Sequence, residues 1–171
     1  MEEFNQDKIK VAVVYGGRSK EHEVSVESAE GIVKTLRENN SYEVSPILID
    51  KNGKWFHQGY KNSTTEEVFP PTSPDQDGNL ILKNGDTIEV DVYFPILHGR
   101  YGEDGTIQGL FELSASSFVG SDCRSSAISI DKAVTKAILR SSGLPVLPFI
   151  AFTIQEWKEN RKESLKKLEN T

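Results

Sequence analysis

The chain has 171 residues, of which 36% are apolar and 27% charged, and 20 Lys and Arg against 26 Asp and Glu leave a net charge of −6. This mix belongs to a folded globular protein, not a disordered chain, and an acidic balance without a basic stripe argues against nucleic acid as the main partner. No apolar run approaches the roughly 18–20 residues of a membrane helix, Met1-Glu2-Glu3-Phe4-Asn5 is no signal peptide, and the single Cys123 can form neither an internal disulfide nor a multi-cysteine metal site, so a cytoplasmic, reducing setting is expected.

In chain order, Ile9 to Tyr15 is a β-branched run that stops at Gly16-Gly17 and reads as a buried parallel strand. The loop through Glu23 leads into a helix to about Asn39, with Val26, Ala29, Val33 and Leu36 on its inner face. Tyr42 to Asp50 predicts a second strand, Lys51-Asn52-Gly53-Lys54 a hairpin turn, and Trp55-Phe56 a third short strand. From Gly59 to Gly78 the chain is polar and holds Pro70, Pro71 and Pro74, which predicts an irregular surface excursion. Leu80-Ile81-Leu82 and Ile88-Glu89-Val90, joined by Asn84-Gly85-Asp86, predict a further small hairpin. Asp91 to Leu97 is an apolar strand in which Pro95 is awkward for a central position. Helices follow over Thr106 to Leu113 and Ser126 to Ser142, the second with Ala127, Ile130, Val134, Ala137 and Ile138 inward, and a short strand lies between them at Ser117 to Gly120. Gly143 and Pro145 end that second helix. Thr153-Ile154-Gln155-Glu156 is a capping box opening a final charged helix, whose Ile154, Trp157, Leu165 and Leu168 need a partner surface.

Strands alternating with helices predict an α/β domain: a mainly parallel open sheet with helices on both faces and a small hairpin excursion. Residues 1–143 are expected to form that domain, and 144–171 look like the start of a second one, cut off before it can bury a core.

Two glycine-rich bends stand out. Gly16-Gly17-Arg18-Ser19-Lys20-Glu21-His22-Glu23-Val24-Ser25 follows the first strand, and it matches neither the dinucleotide fingerprint nor the P-loop. His98-Gly99-Arg100-Tyr101-Gly102-Glu103-Asp104-Gly105-Thr106 ends a later strand and opens a helix. Both lie where ligands sit in such sheets, beyond the C-terminal strand ends, and their glycines permit close backbone approach. One histidine and two acids are a poor ligand set, so no metal is expected at the second bend. Lys132, in Ile130-Asp131-Lys132, reads by itself as a solvated helix residue, and His57 and Cys123 read as structural.

These segments resemble the D-alanine–D-alanine ligase family. The resemblance rests on the first bend, on His98-Gly99-x-x-Gly102-Glu103-Asp104-Gly105-Thr106-Ile107-Gln108-Gly109, and on Gly120-Ser121, Ile130-Asp131-Lys132, Thr135-Lys136 and Gly143-Leu144-Pro145-Val146 in order and spacing. It covers most of residues 9–153 and leaves about Ser63 to Gly85 unmatched. It implies a pre-ATP-grasp, flavodoxin- or Rossmann-like domain of a cytoplasmic, homodimeric ATP-grasp ligase that joins two D-alanines through an acyl phosphate for peptidoglycan precursors. By the same resemblance Glu21 binds the ammonium of the first D-alanine, Val24 lines its methyl, and His98 positions it. Ser25 and the Gly16-Gly17 amides border the site, Glu103 belongs to the signature without an assigned chemical step, and Lys132 lies near the ATP phosphates. The adenine pocket and the magnesium ligands for ATP and Mg2+ are expected downstream of Thr171, so this chain alone is expected to be inactive. A ligase making D-alanine–D-lactate or D-alanine–D-serine, and a non-catalytic flavodoxin-like binding module, are the alternatives. His22 beside Glu21 does not decide between the substrates.

Overall fold

The computed structural model describes residues 8–58 and 65–169. The chain divides into two compact units, Met1–Ile130 and Asp131–Thr171.

The first unit is built on β1 (Ile9–Gly16), followed by α1 (His22–Glu38) and β2 (Tyr42–Ile49), which pairs parallel to β1 from Ile9↔Tyr42 to Gly16↔Ile49. β1 alternates in the way a strand buried on both faces must. Val11, Val13 and Tyr15 share one apolar cluster with Ala29, Val26, Val33 and Leu36 of α1. Ala12 and Val14 share the other with Ile47, Trp55, Ile107 and Phe111. The inner face expected of α1, and its stop at Asn39, are therefore as read from the sequence.

After β2 the chain turns antiparallel. β3 (Trp55–His57) pairs with β2 through the expected Asn52-Gly53 turn, where Gly53 takes φ +90° and donates to the Asp50 carbonyl. β4 (Glu66–Phe69), β5 (Leu80–Leu82) and β6 (Thr87–Ile88) continue outward, each antiparallel to the one before. β7 (Val92–Pro95) returns to the far side of β1 and pairs with it parallel, giving the order β6-β5-β4-β3-β2-β1-β7.

The sheet is thus mixed, and the expectation of a mainly parallel sheet is corrected. Only β2, β1 and β7 run parallel: α1 carries the chain from β1 to β2, β3 to β6 each turn back antiparallel on the strand before, and β7 follows β6 after residues 89–91 to pair with the free side of β1. The excursion from Gly59 to Gly78 is also more regular than expected. Residues 59–64 lie outside the described residues, but β4 is a paired strand and Pro74–Gln76 is one turn of 3-10 helix.

Pro95 is tolerated because β7 shows its outward side to little else. Ile96 donates to the Val14 carbonyl, whereas Tyr93 bonds away from β1, to Ser117 and Val119. The missing N–H of Pro95 thus falls on the outer side, and Ser117–Gly120 contributes a single bridge, Tyr93↔Phe118, instead of a strand. α2 (Thr106–Leu113) buries Ile107 and Phe111, and Phe111 stacks on Tyr93 at 4.5 Å between ring centroids.

The helix expected from Ser126 to Ser142 is two helices, α3 (Cys123–Ile130) and α4 (Lys132–Ser141). Asp131 is extended (φ −85°, ψ 103°), and its carboxylate accepts from the amides of Ala133 and Val134, capping α4. Ala127, Ile130, Val134, Ala137 and Ile138, expected inward, are exposed. In the second unit, Thr153 and Glu156 form the expected capping box at the start of α5 (Ile154–Glu159). The final helix is broken at Asn160, with α6 (Arg161–Glu169) following, and Ile154, Leu165 and Leu168 are exposed.

Candidate functional site

The order of the sheet reverses at β1: the chain moves from β1 to β2 on one side and later to β7 on the other. The C-terminal ends of β1 and β7 therefore flank a topological switch point, where open α/β sheets hold ligands. Both glycine-rich bends leave the sheet there.

The bend after β1 turns at Gly16 (φ +86°) and Gly17 (φ +89°), and a Cβ at Gly16 would stand 2.5 Å from the Ile49 carbonyl oxygen. The position is closed to any larger residue by both conformation and space. Ser25, on the first turns of α1 and fully buried, accepts from the Gly16 amide at 2.7 Å and donates to the Ile96 carbonyl at 2.5 Å. One hydroxyl thereby fastens both bends to the start of α1. Ser19 is a second fastener: its hydroxyl donates to the His98 carbonyl at 2.8 Å and accepts from the Glu21 amide at 3.1 Å.

Glu21 is exposed, and its carboxylate rests on the second bend. A Cβ added to Gly99 (φ +67°) would lie 2.5 Å from Glu21 Oε2. The contact is possible only because residue 99 has no side chain. The Gly99 amide donates to Glu103 Oε2 at 2.9 Å, so Glu103 shapes the bend from within. Asp104 accepts from the Tyr101 amide at 2.9 Å and from the Thr106 amide at 3.1 Å. Burial pulls the Asp104 carboxyl upward, but hydrogen bonds from Thr106 and Tyr101 outweigh it and hold the group below the usual carboxylate range.

Two cavities open here. One, of about 590 Å³, is lined by Arg18, Ser19, Lys20, Glu21, Gly99 and Tyr101, among others. The second, of about 380 Å³, is lined by apolar residues that include Ile49, Trp55, Leu97 and Leu110, with His98 also among its lining residues. The structure thus brings Glu21 onto the Gly99 backbone and ties it through Ser19 to the His98 main chain, while His98 is among the residues that line the neighbouring cavity. Its Nε2 is buried and has no hydrogen-bond partner among the described residues. Val24 is 52% exposed on α1. Lys132 is the exposed first residue of α4, in the second compact unit. His22 holds the Gly17 carbonyl through Nδ1 at 2.7 Å, and Glu23 pairs with Lys51 at 2.6 Å.

The sequence reasoning missed Ser19 as a bridge, and Arg18, Arg100 and Tyr101 as a group. Each guanidinium lies 4.9 Å from the Tyr101 ring centroid. No spacing signal could have found them, because Arg18 and Tyr101 are 83 positions apart in the chain and meet only across the switch point.

A three-strand parallel core with an acid seated on a glycine bend at its C-terminal rim defines an α/β domain with an exposed carboxylate at its switch point. Residues 10–121 match the family model described as the D-ala D-ala ligase N-terminus, and the chain belongs to that family. It is 39% identical over 168 residues to a D-alanine–D-alanine ligase of Treponema denticola, covering 90% of this chain and 45% of that protein. A D-alanine–D-alanine ligase of Natranaerobius thermophilus is 38% identical, with 95% and 47% covered. Among solved structures, the D-alanine–D-alanine ligase of Coxiella burnetii superposes with a TM-score of 0.81 at 31% identity, over 96% of this chain and 51% of that one. The D-Ala:D-Ser ligase of Enterococcus faecalis gives 0.80 at 29%, over 96% and 49%. The chain spans about half the length of the relatives it matches.

Proposed function

We propose that the chain is the amino-acid-binding part of an ATP-dependent ligase that joins two D-alanines, serving peptidoglycan precursor synthesis in the cytoplasm. The observation that carries this reading is the Glu21 carboxylate, exposed to a cavity and seated on Gly99 between the two bends. An exposed carboxylate held from behind is suited to accept from a substrate ammonium, and the charge-assisted bond both binds and orients the amino acid. His98, with its buried and unpartnered Nε2, is assigned to positioning beside it. Val24 is assigned to the substrate methyl, Ser25 and Glu103 to holding the two bends, and Lys132 to the ATP phosphates.

ATP supplies the phosphoryl group that turns a carboxylate, a poor electrophile, into one an amine can attack. Among the described residues no group of three His, Cys, Asp or Glu is placed to hold a metal. Lys132 alone does not make a nucleotide site, so no step through ATP or Mg2+ is derived from these residues. Both are assigned to the remainder of a longer ligase, as is the homodimer. Residues 1–143 would be the substrate domain and 144–171 the opening of the next. No helix of the described residues is long and apolar enough to cross a membrane.

Titration of D-alanine into the ¹⁵N-labelled chain tests the reading. Shifts are expected at Ser19, Glu21 and Gly99. Glu21→Gln should weaken binding by about 10–150-fold, the loss of one charge-assisted hydrogen bond worth roughly 1.5–3 kcal/mol. No response to D-alanine, or equal affinity in Glu21→Gln, would overturn it. The D-Ala:D-Ser ligase match favours a second reading in which the other substrate is D-serine. Glu21 serves the first substrate in both, so the ratio of D-alanyl-D-alanine to D-alanyl-D-serine that the whole ligase carrying this chain forms from equal D-alanine and D-serine separates them.

A further inference from the structure

The larger cavity carries a charge pattern that amino-acid binding by Glu21 does not use. In a chain of net charge −6, its lining holds Arg18, Lys20, Lys51 and Arg100 against one acid, Glu21. Lys51 is already paired with Glu23. No carboxylate among the described residues pairs with Arg18, Lys20 or Arg100. The acids of the second bend are occupied elsewhere: Glu103 takes the Gly99 amide, and Asp104 takes the amides of Tyr101 and Thr106. Both guanidiniums instead contact one ring, each 4.9 Å from the Tyr101 centroid. Tyr101 itself sits at φ +70°, a conformation a bulky residue rarely adopts, and the Asp104 bond to its amide holds it there.

Two like charges gathered on one ring repel each other, and the attraction of each cation to the ring offsets only part of that. A bound anion would remove the repulsion. One cation suffices for a carboxylate. Two planar forks and an ammonium suit the several oxygens and near-double charge of a phosphate group.

We propose that Arg18 and Arg100, which share the Tyr101 ring, form together with Lys20 of the same cavity an oxyanion site that takes a phosphate group, beside Glu21 and distinct from it. The site faces the same cavity as Glu21, so the two ligands feel opposite charges. Removing the Glu21 carboxylate favours an anion and disfavours an ammonium.

The test titrates inorganic phosphate, inorganic triphosphate and D-alanine separately into the ¹⁵N-labelled 171-residue chain, at constant ionic strength and pH. Phosphate is expected to shift the amides of Ser19, Gly99, Arg100 and Tyr101 saturably. Arg18→Gln and Arg100→Gln should each weaken phosphate roughly tenfold, and Arg100→Lys less. These side chains are exposed, so the variants should fold, which circular dichroism checks. Glu21→Gln should tighten phosphate several-fold while it weakens D-alanine. Tighter binding of triphosphate than of phosphate would identify a polyphosphate tail as the source, and equal binding would identify the free ion; either supports the site. No saturable response to either anion, or unchanged affinity in the Arg18→Gln/Arg100→Gln double variant, would overturn it. Loss of the D-alanine response alone, with phosphate binding intact, would overturn the ligase reading and leave the oxyanion site standing.

Discussion

Ser25 and Gly99 show how two small side chains hold the rim of the sheet together. The Ser25 hydroxyl is fully buried between the Gly16 amide and the Ile96 carbonyl. Ser25→Ala would leave both groups buried without a partner, at about 1–3 kcal/mol each. The expected outcome is a urea midpoint well below that of the parent chain. Gly99→Ala is expected to displace Glu21, since the new Cβ would stand 2.5 Å from its Oε2 at a φ of +67°. His57 sets a pH dependence. Its half-buried imidazole is held below the ordinary histidine value, chiefly by burial. The unfolded chain therefore takes up the proton first as pH falls. The stability His57 contributes is present above about pH 6.5 and is lost as pH drops through the lowered folded-state value. The urea midpoint should fall on acidification through this window, and fall less in His57→Gln. At this scale the sequence showed which residues were chemically unusual, Glu21 and His98 among them. It did not show that Ser19 would tie them, because a serine in a loop has no pattern.

At the level of elements, local signals with a steric cause were legible. The Asn52-Gly53 turn, the stop of α1 at Asn39 and the Thr153–Glu156 capping box each rest on a few adjacent residues. Elements that depend on neighbours were harder to read. β4 lies in a polar stretch and buries only Val68, while Glu67 reaches Lys54 at 3.1 Å and Lys83 at 3.3 Å. Its pairing is settled by β3 and β5 and not by its own apolar content. The helix read through Asp131 failed for another reason. Apolar spacing continues across that residue, but the carboxylate competes for the amides of Ala133 and Val134 and starts a new helix. Asp131→Ala should cost α4 its cap, about 1 kcal/mol, seen as weaker helical ellipticity and lower protection of the Ala133 and Val134 amides.

In the first unit, the parallel triplet β2-β1-β7 presents the bends, and the antiparallel β3–β6 complete the sheet on the β2 side. The second unit leaves Val134, Ile138, Leu147, Ile154 and Leu168 exposed, and α4 and α5 bury none of their residues. On the proposed reading, the 171-residue chain is expected to form no dipeptide and to bind ATP poorly. Phosphate release with D-alanine and ATP measures this, and turnover by the pure chain would refute it.

The sequence by itself determined the strand-bend-helix units, the two glycine-rich motifs and the family they belong to. Those depend on residue type at short range: branched runs, positive-φ glycines, capping side chains. Only the tertiary structure decided that the sheet is mixed, that Glu21 rests on Gly99 while His98 is among the residues lining a second cavity, and that Arg18 and Arg100 share Tyr101. Each is a meeting of residues far apart along the chain, or a choice of strand partner. Such meetings follow from how buried surfaces fit together, which no short stretch of sequence contains.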